Sequence, residues 1–124
     1  MAAPNLLTPT TITGKTAYVS LSTTNATSIV SNAASSGKVL KINSLVVSNV
    51  DGVNNASITV SLYSAAALGG TAYKIANTIT VPADSTLVVI DKTSTIYLEE
   101  DKSLGAVAGT ANDLEIVCSY EEIS

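Results

Sequence analysis

Polar and apolar residues alternate with a period of two along most of this chain, in short runs closed by turn-forming residues. Leu114, Ile116, Cys118 and Tyr120 alternate with Glu115, Val117, Ser119 and Glu121, and Leu104, Ala106 and Ala108 alternate with Gly105, Val107 and Gly109. Ile96 and Leu98 flank Tyr97, while residues 87–90 are wholly apolar between Pro82-Ala83-Asp84-Ser85 and Asp91-Lys92. This is the signature of half-buried strands. Pro82, which has no backbone N–H, suits a turn or a strand start. The separators 99–102 and 109–113 are charged or turn-prone and are read as hairpin connections.

The same pattern continues upstream. Residues 15–22 place Val19 and Leu21 on one face and Tyr18 and Ser20 on the other. Residues 23–25 turn, 27–31 form a second strand and 32–37 a loop. Residues 39–50 are the longest strand predicted. Their apolar phase runs through Leu40 and Ile42, then shifts to Leu45 and Val47, so a bulge is expected near Asn43-Ser44. Asp51-Gly52 with Asn54-Asn55 is the strongest turn signal, and residues 57–63 then point Ile58, Val60 and Leu62 inward. A β-hairpin between 39–50 and 57–63 follows from that reading. Residues 64–70 are read as a loop, because Gly69-Gly70 stops any helix at once. Residues 73–81 make a further strand with Tyr73, Ile75, Ile79 and Val81 on one face. Pro4, Pro9 and the threonines make residues 1–14 an extended arm. With little more than Leu6, Leu7 and Ile12 to bury, the arm is expected to pack on a neighbouring subunit; an ordinary first strand on its own sheet is the alternative. Residues 15–124 are predicted to form a single all-β domain, an antiparallel β-sandwich of jelly-roll type.

Composition removes most chemistry. The chain has no His, Arg, Phe, Trp or Gln. Without His there is no imidazole base, no imidazole metal ligand and no serine-type triad. Without Arg the usual bidentate clamp on phosphate or carboxylate is missing. Cys118 cannot form an intrachain disulfide and, lacking a His partner, reads as a buried thiol. The reading is therefore non-enzymatic, with no cofactor. Gly14-Lys15-Thr16 fails as a phosphate loop, because Pro9 stands where that motif needs glycine. Glu99-Glu100-Asp101, with Asp113 and Glu115, could hold calcium if their loops met at one end of the sandwich; solvated loops are the simpler reading. Exposed aromatic platforms for a glycan are restricted to five tyrosines, among which Tyr63, Tyr73 and Tyr97 equally suit sheet packing. Asn25-Ala26-Thr27 and Asn55-Ala56-Ser57 match glycosylation sequons, but the N-terminus lacks a charged and then apolar leader, so neither is expected to be used. No apolar run approaches the length of a spanning helix, so no membrane partner is expected. Residues 1–50 carry three lysines and no acid, whereas 51–124 carry three lysines and all ten acids, a split of +3 and −7 within the net −4. That sign argues against nucleic acid. It would suit copies packing basic side to acidic side.

Three stretches, MAAPN…TTITGKTA, KVLKINSLVVSNVDG and VPADSTLVVIDK…TIYLEEDKSL…ANDLEIVCSYEEI, resemble a family of small virion structural proteins of tailed bacteriophages, especially cyanobacterial ones. The resemblance covers most of the chain and carries no catalytic residues. It implies a β-sandwich subunit present in many copies on the virion, assembled in the host cytoplasm. The commonest role is capsid decoration, a cement protein that bridges head capsomers. A subunit of the neck, tail or fibre, with or without receptor binding, is the alternative. The partners it implies are the major capsid protein or other virion proteins, and further copies of itself, a trimer being a common solution. The expected assembly contacts are Leu6, Leu7, Thr10, Ile12 and Lys15.

Overall fold

The computed structural model describes residues 3–124, so Met1 and Ala2 of the predicted arm lie outside the described residues. Nine strands form: β1 (Ile12–Ser20), β2 (Thr27–Asn32), β3 (Val39–Asn49), β4 (Ala56–Ala65), β5 (Gly69–Val81), β6 (Thr86–Ile90), β7 (Ile96–Leu98), β8 (Lys102–Ala108) and β9 (Leu114–Ile123). No helix occurs among the described residues. One sheet has the order β1-β9-β3-β6, with β7 continuing β6 along the same edge of β3; the other has the order β2-β8-β4-β5. Counting β6 and β7 as one interrupted strand, the pairs nest: first with last, second with second-last, β3 with β6/β7, and β4 with β5 at the tip. A nested antiparallel hairpin of that kind, rolled until β9 also lies on β3 and β8 on β4, is a jelly roll.

The period-two pattern fixes what faces what. Leu45, Val47, Ile116 and Cys118 of the first sheet meet Ile58, Val60, Leu104 and Ala106 of the second, all essentially inaccessible. Each large side chain buried this way stabilises the fold by roughly 1.5–3 kcal/mol. The expected bulge in β3 is present, as a register step between Ile42 and Ser44 that moves the inward set from Leu40 and Ile42 to Leu45 and Val47.

The predicted hairpin between 39–50 and 57–63 does not form: β3 belongs to one sheet and β4 to the other. A tight turn at Asp51-Gly52 requires positive φ at both residues, and neither has it. Asp51 Oδ1 instead accepts from Val53 N at 2.8 Å and Asn54 N at 3.2 Å, which holds the link open enough to step the roughly 10 Å between sheets. Separators 99–102 and 109–113 likewise join strands of different sheets. The one hydrogen-bonded pair of consecutive strands is β4–β5, whose tip at residues 66–68 lies within the stretch read as a loop. The single apolar face expected on 73–81 also breaks. Thr78 sits at φ 53° beside register steps, and Tyr73 and Ile79 end up exposed while Val81 is buried.

Two buried asparagines clip the sandwich, one near each end. Asn49 on β3 donates from Nδ2 to Val81 O and Asn54 O, both at 2.9 Å, and accepts from Asp51 N at 3.0 Å. Asn32 on β2 donates to Leu98 O at 3.1 Å and Lys38 O at 3.0 Å, and accepts from Ser36 Oγ at 2.6 Å. Each amide therefore crosses between sheets with both ends satisfied.

Candidate assembly surface

The expected contact residues gather at one corner. Thr10 N and Thr11 N both donate to Ser124 O, at 2.6 and 3.0 Å, and Ser124 N returns a bond to Thr11 O at 2.9 Å. Before that, Asn5 closes a turn, accepting Leu7 N at its Oδ1 and Thr8 N at its carbonyl. The turn faces Gly37 and Ser124 across a shallow depression. Val39 and Ile123, paired in register and outside the core between the sheets, are buried at this corner. Leu7 nevertheless remains 89% exposed, with Leu6 and Ile12 about half exposed. Ile12, Thr13 and Gly14 belong to β1, paired with Ile123, Glu122 and Glu121, so the strand begins inside the segment read as arm.

Lys15 Nζ and Lys38 Nζ each lie 3.0 Å from a carboxylate oxygen of Glu122. Those bonds hold the Glu122 carboxyl below its ordinary value and raise Lys15 above its own. Two of the three lysines of the first half thus meet one acid of the second half within the domain. The acidic loops do not converge. Glu99–Asp101 follow Leu98, opposite Leu40, whereas Asp113 precedes Leu114, opposite Asn49. They are roughly 30 Å apart along β3 at ~3.3 Å per residue. No cluster of three potential metal-binding side chains occurs among the described residues.

A second surface was not anticipated from sequence. On the outer face of the first sheet, Tyr18 pairs with Val117, Val117 with Val46, and Val46 with Val88. These four form an apolar row across all four strands, with Tyr18 80%, Val88 56% and Val117 45% exposed. Hydroxyls border it: Thr16, Ser119 and Ser44 on one side, and Ser20, Ser48 and Thr86 with Glu115 on the other. Ser20 Oγ donates to Glu115 Oε2 at 3.1 Å, which ties down the one charge in these rows. The apolar members were visible as letters, but only the register lines them up. The exposed tyrosines form no platform: Tyr18 is on β1, Tyr97 on β7 and Tyr73 on the opposite sheet. A depression of about 520 Å³ beside the 91–95 excursion is lined by Lys41, Asn43, Ser44, Lys92, Thr95, Ser119 and Glu121. It lacks the apolar walls usual for a small-molecule site.

No protein-family model matches the chain, and no curated protein matches it. Among solved structures it is similar to a chain described under "Bacillus endospore appendages form a novel family of disulfide-linked pili". The two share 16% identity with a TM-score of 0.50, over 92% of this chain and 88% of that one. At that identity the likeness establishes the fold, an all-β sandwich of two antiparallel sheets.

Proposed function

We propose that this chain is a non-enzymatic structural subunit of a multi-copy assembly, and specifically a decoration protein on the head of a tailed phage. The observation that carries the structural reading is where the exposed apolar side chains lie: a row across one sheet face, and the arm beside the same sheet. Apolar side chains lined up on one face in this way offer a surface on which a partner can pack. The choice of phage head rests on the resemblance of the three sequence stretches. The fold it shares with an appendage subunit supports the alternative, a neck, tail or fibre component. A disulfide-linked assembly does not suit this chain, because its single thiol is buried in the core.

Localising the chain on intact particles by cryo-EM density or antibody labelling separates the two: density over the head lattice supports decoration, and density confined to neck, tail or fibres overturns it. Binding to heads then tests the arm. Removing residues 1–9 leaves β1 and the Thr10–Ser124 bond in place, so the truncated domain is expected to fold and to lose head binding by at least tenfold. Undiminished binding would remove the arm from the mechanism.

A further inference from the structure

β1 is an unusual edge. The jelly roll leaves four edges, and three are interrupted. β2 has a register step between Ser28 and Val30; β5 follows β4 through three steps; and β6 and β7 are short, with the 91–95 excursion between them. β1 keeps unbroken register with β9 over all nine residues, contains no proline, and carries one charge, Lys15. Natural sheets normally blunt edges with bulges, prolines or charges, because a regular free edge is a template for another strand.

The hydrogen-bond phase says which groups are offered. Thr11 exchanges both bonds with Ser124, and Leu21 N donates to Leu114 O, so odd-numbered residues face β9. Ile12, Gly14, Thr16, Tyr18 and Ser20 therefore turn their N–H and C=O groups to the open edge. Those residues complement a second copy of themselves. Thr16 is the midpoint of Ile12–Ser20. An antiparallel pair centred on it uses the whole strand and sets Tyr18 against Gly14, Ile12 against Ser20, and Lys15 against Ala17. No like charges oppose. The space above Gly14 is empty, with nothing within 4 Å of where a Cβ would stand. An aromatic ring laid over a strand glycine from the neighbouring strand covers backbone that glycine leaves bare.

We infer that the β1 edge is a homodimer interface, in which two copies pair antiparallel about a two-fold axis through Thr16 and join their first sheets into one. The occupant is a second copy rather than a foreign strand, because register, charge and side-chain size all close on themselves. A nine-residue edge buries on the order of several hundred Å², below the ~1,000 Å² of durable interfaces. The dimer is accordingly weak in solution and is reinforced when many copies sit on one scaffold. It does not depend on which particle carries the chain.

Cross-linking tests the register directly. In a hydrogen-bonded antiparallel pair the two Cα atoms at position 16 stand about 5.5 Å apart, within reach of a disulfide. Purified Thr16→Cys is expected to give a covalent dimer under mild oxidation, and Cys118, buried, does not compete. Gly14→Cys and Tyr18→Cys should each stay largely monomeric alone and cross-link when mixed. Thr16→Pro removes an N–H that faces the open edge and leaves the β9 bonds intact; it should weaken self-association at least tenfold by sedimentation equilibrium. A Thr16→Cys protein that stays monomeric overturns the inference. So does a folded Thr16→Pro protein that self-associates like wild type. If Thr16→Pro does not fold, the cysteine pairings decide.

Discussion

Single polar side chains hold much of this sandwich in shape, and Asn49 is the clearest case. Its amide meets Val81 O on the other sheet, together with Asn54 O and Asp51 N of the link that follows β3, so truncation leaves buried groups unpaired instead of merely removing a bond. Asn49→Ala is expected to cost about 2–3 kcal/mol, read as a midpoint shift in denaturant unfolding at unchanged m. A loss under about 0.5 kcal/mol would mean that water replaces the amide and that the clip is unimportant. Asn49→Asp should be no better, since a carboxylate presents oxygen to Val81 O and Asn54 O. Cys118 shows burial acting alone. With no charged partner, desolvation pushes its thiol up to about 11, so at neutral pH it stays protonated and unreactive.

At the scale of elements, the β4–β5 tip does more than reverse the chain. Ala67 and Leu68 adopt φ of 56° and 61°, and the turn curls onto the outer face of its own sheet. There Ala66 N, Ala67 N and Leu68 N donate to Asp101 Oδ1, Ser31 Oγ and Ser103 Oγ, at 3.0, 2.9 and 2.9 Å. Leu68 rests over Gly105, where a Cβ would meet Leu68 Cδ2 at 2.5 Å, Tyr63 Cε1 at 3.0 Å and Thr27 O at 3.1 Å. Gly105→Ala should therefore lift the tip and cost about 1–2 kcal/mol, with faster proteolysis at residues 66–68. The penalty should shrink in a Leu68→Ala background, and a cycle showing no coupling would refute the contact. The sequence discloses the strands and their inward faces because alternation is local: Ile58, Val60 and Ile116 are legible one run at a time. It hides which strands pair. Asp51-Gly52 carries the letters of a tight turn, yet a side-chain oxygen turns that segment into a crossing between sheets. The row from Tyr18 to Val88 is hidden for the same reason, since its members are distant in sequence and meet only through register.

For the whole molecule, acid is the condition that tests the carboxylates together. Hydrogen bonds from Lys15 and Lys38 lower Glu122, those from Val53, Asn54 and its side chain lower Asp51, and those from Thr93 and Ser94 lower Asp91. A carboxyl held below its unfolded value contributes stability that is fully present above that value and is lost as pH falls through the lowered one. Stability should thus be flat near neutrality and decline below about pH 4.5, the ordinary value for a glutamate. Glu122→Gln should flatten part of that decline in melts taken from pH 7 to 2.5; an unchanged slope would show that the pair with Lys15 and Lys38 is too solvated to matter. All three groups keep contact with solvent, Glu122 with 21% of its side chain exposed, so screening keeps each contribution small.

The nesting of the strands also sets a timetable. β1 is synthesised well before β9, the strand it pairs with among the described residues. At 5–20 residues per second the ribosome leaves β1 waiting roughly 5–20 s for the strand it needs. Throughout that interval the outer face of the first sheet is incomplete, because β9 runs through it, and β1 lacks the neighbour that makes it a sheet edge. A partner that reads that sheet face or that edge can therefore find it only once β9 has been added and has inserted between β1 and β3.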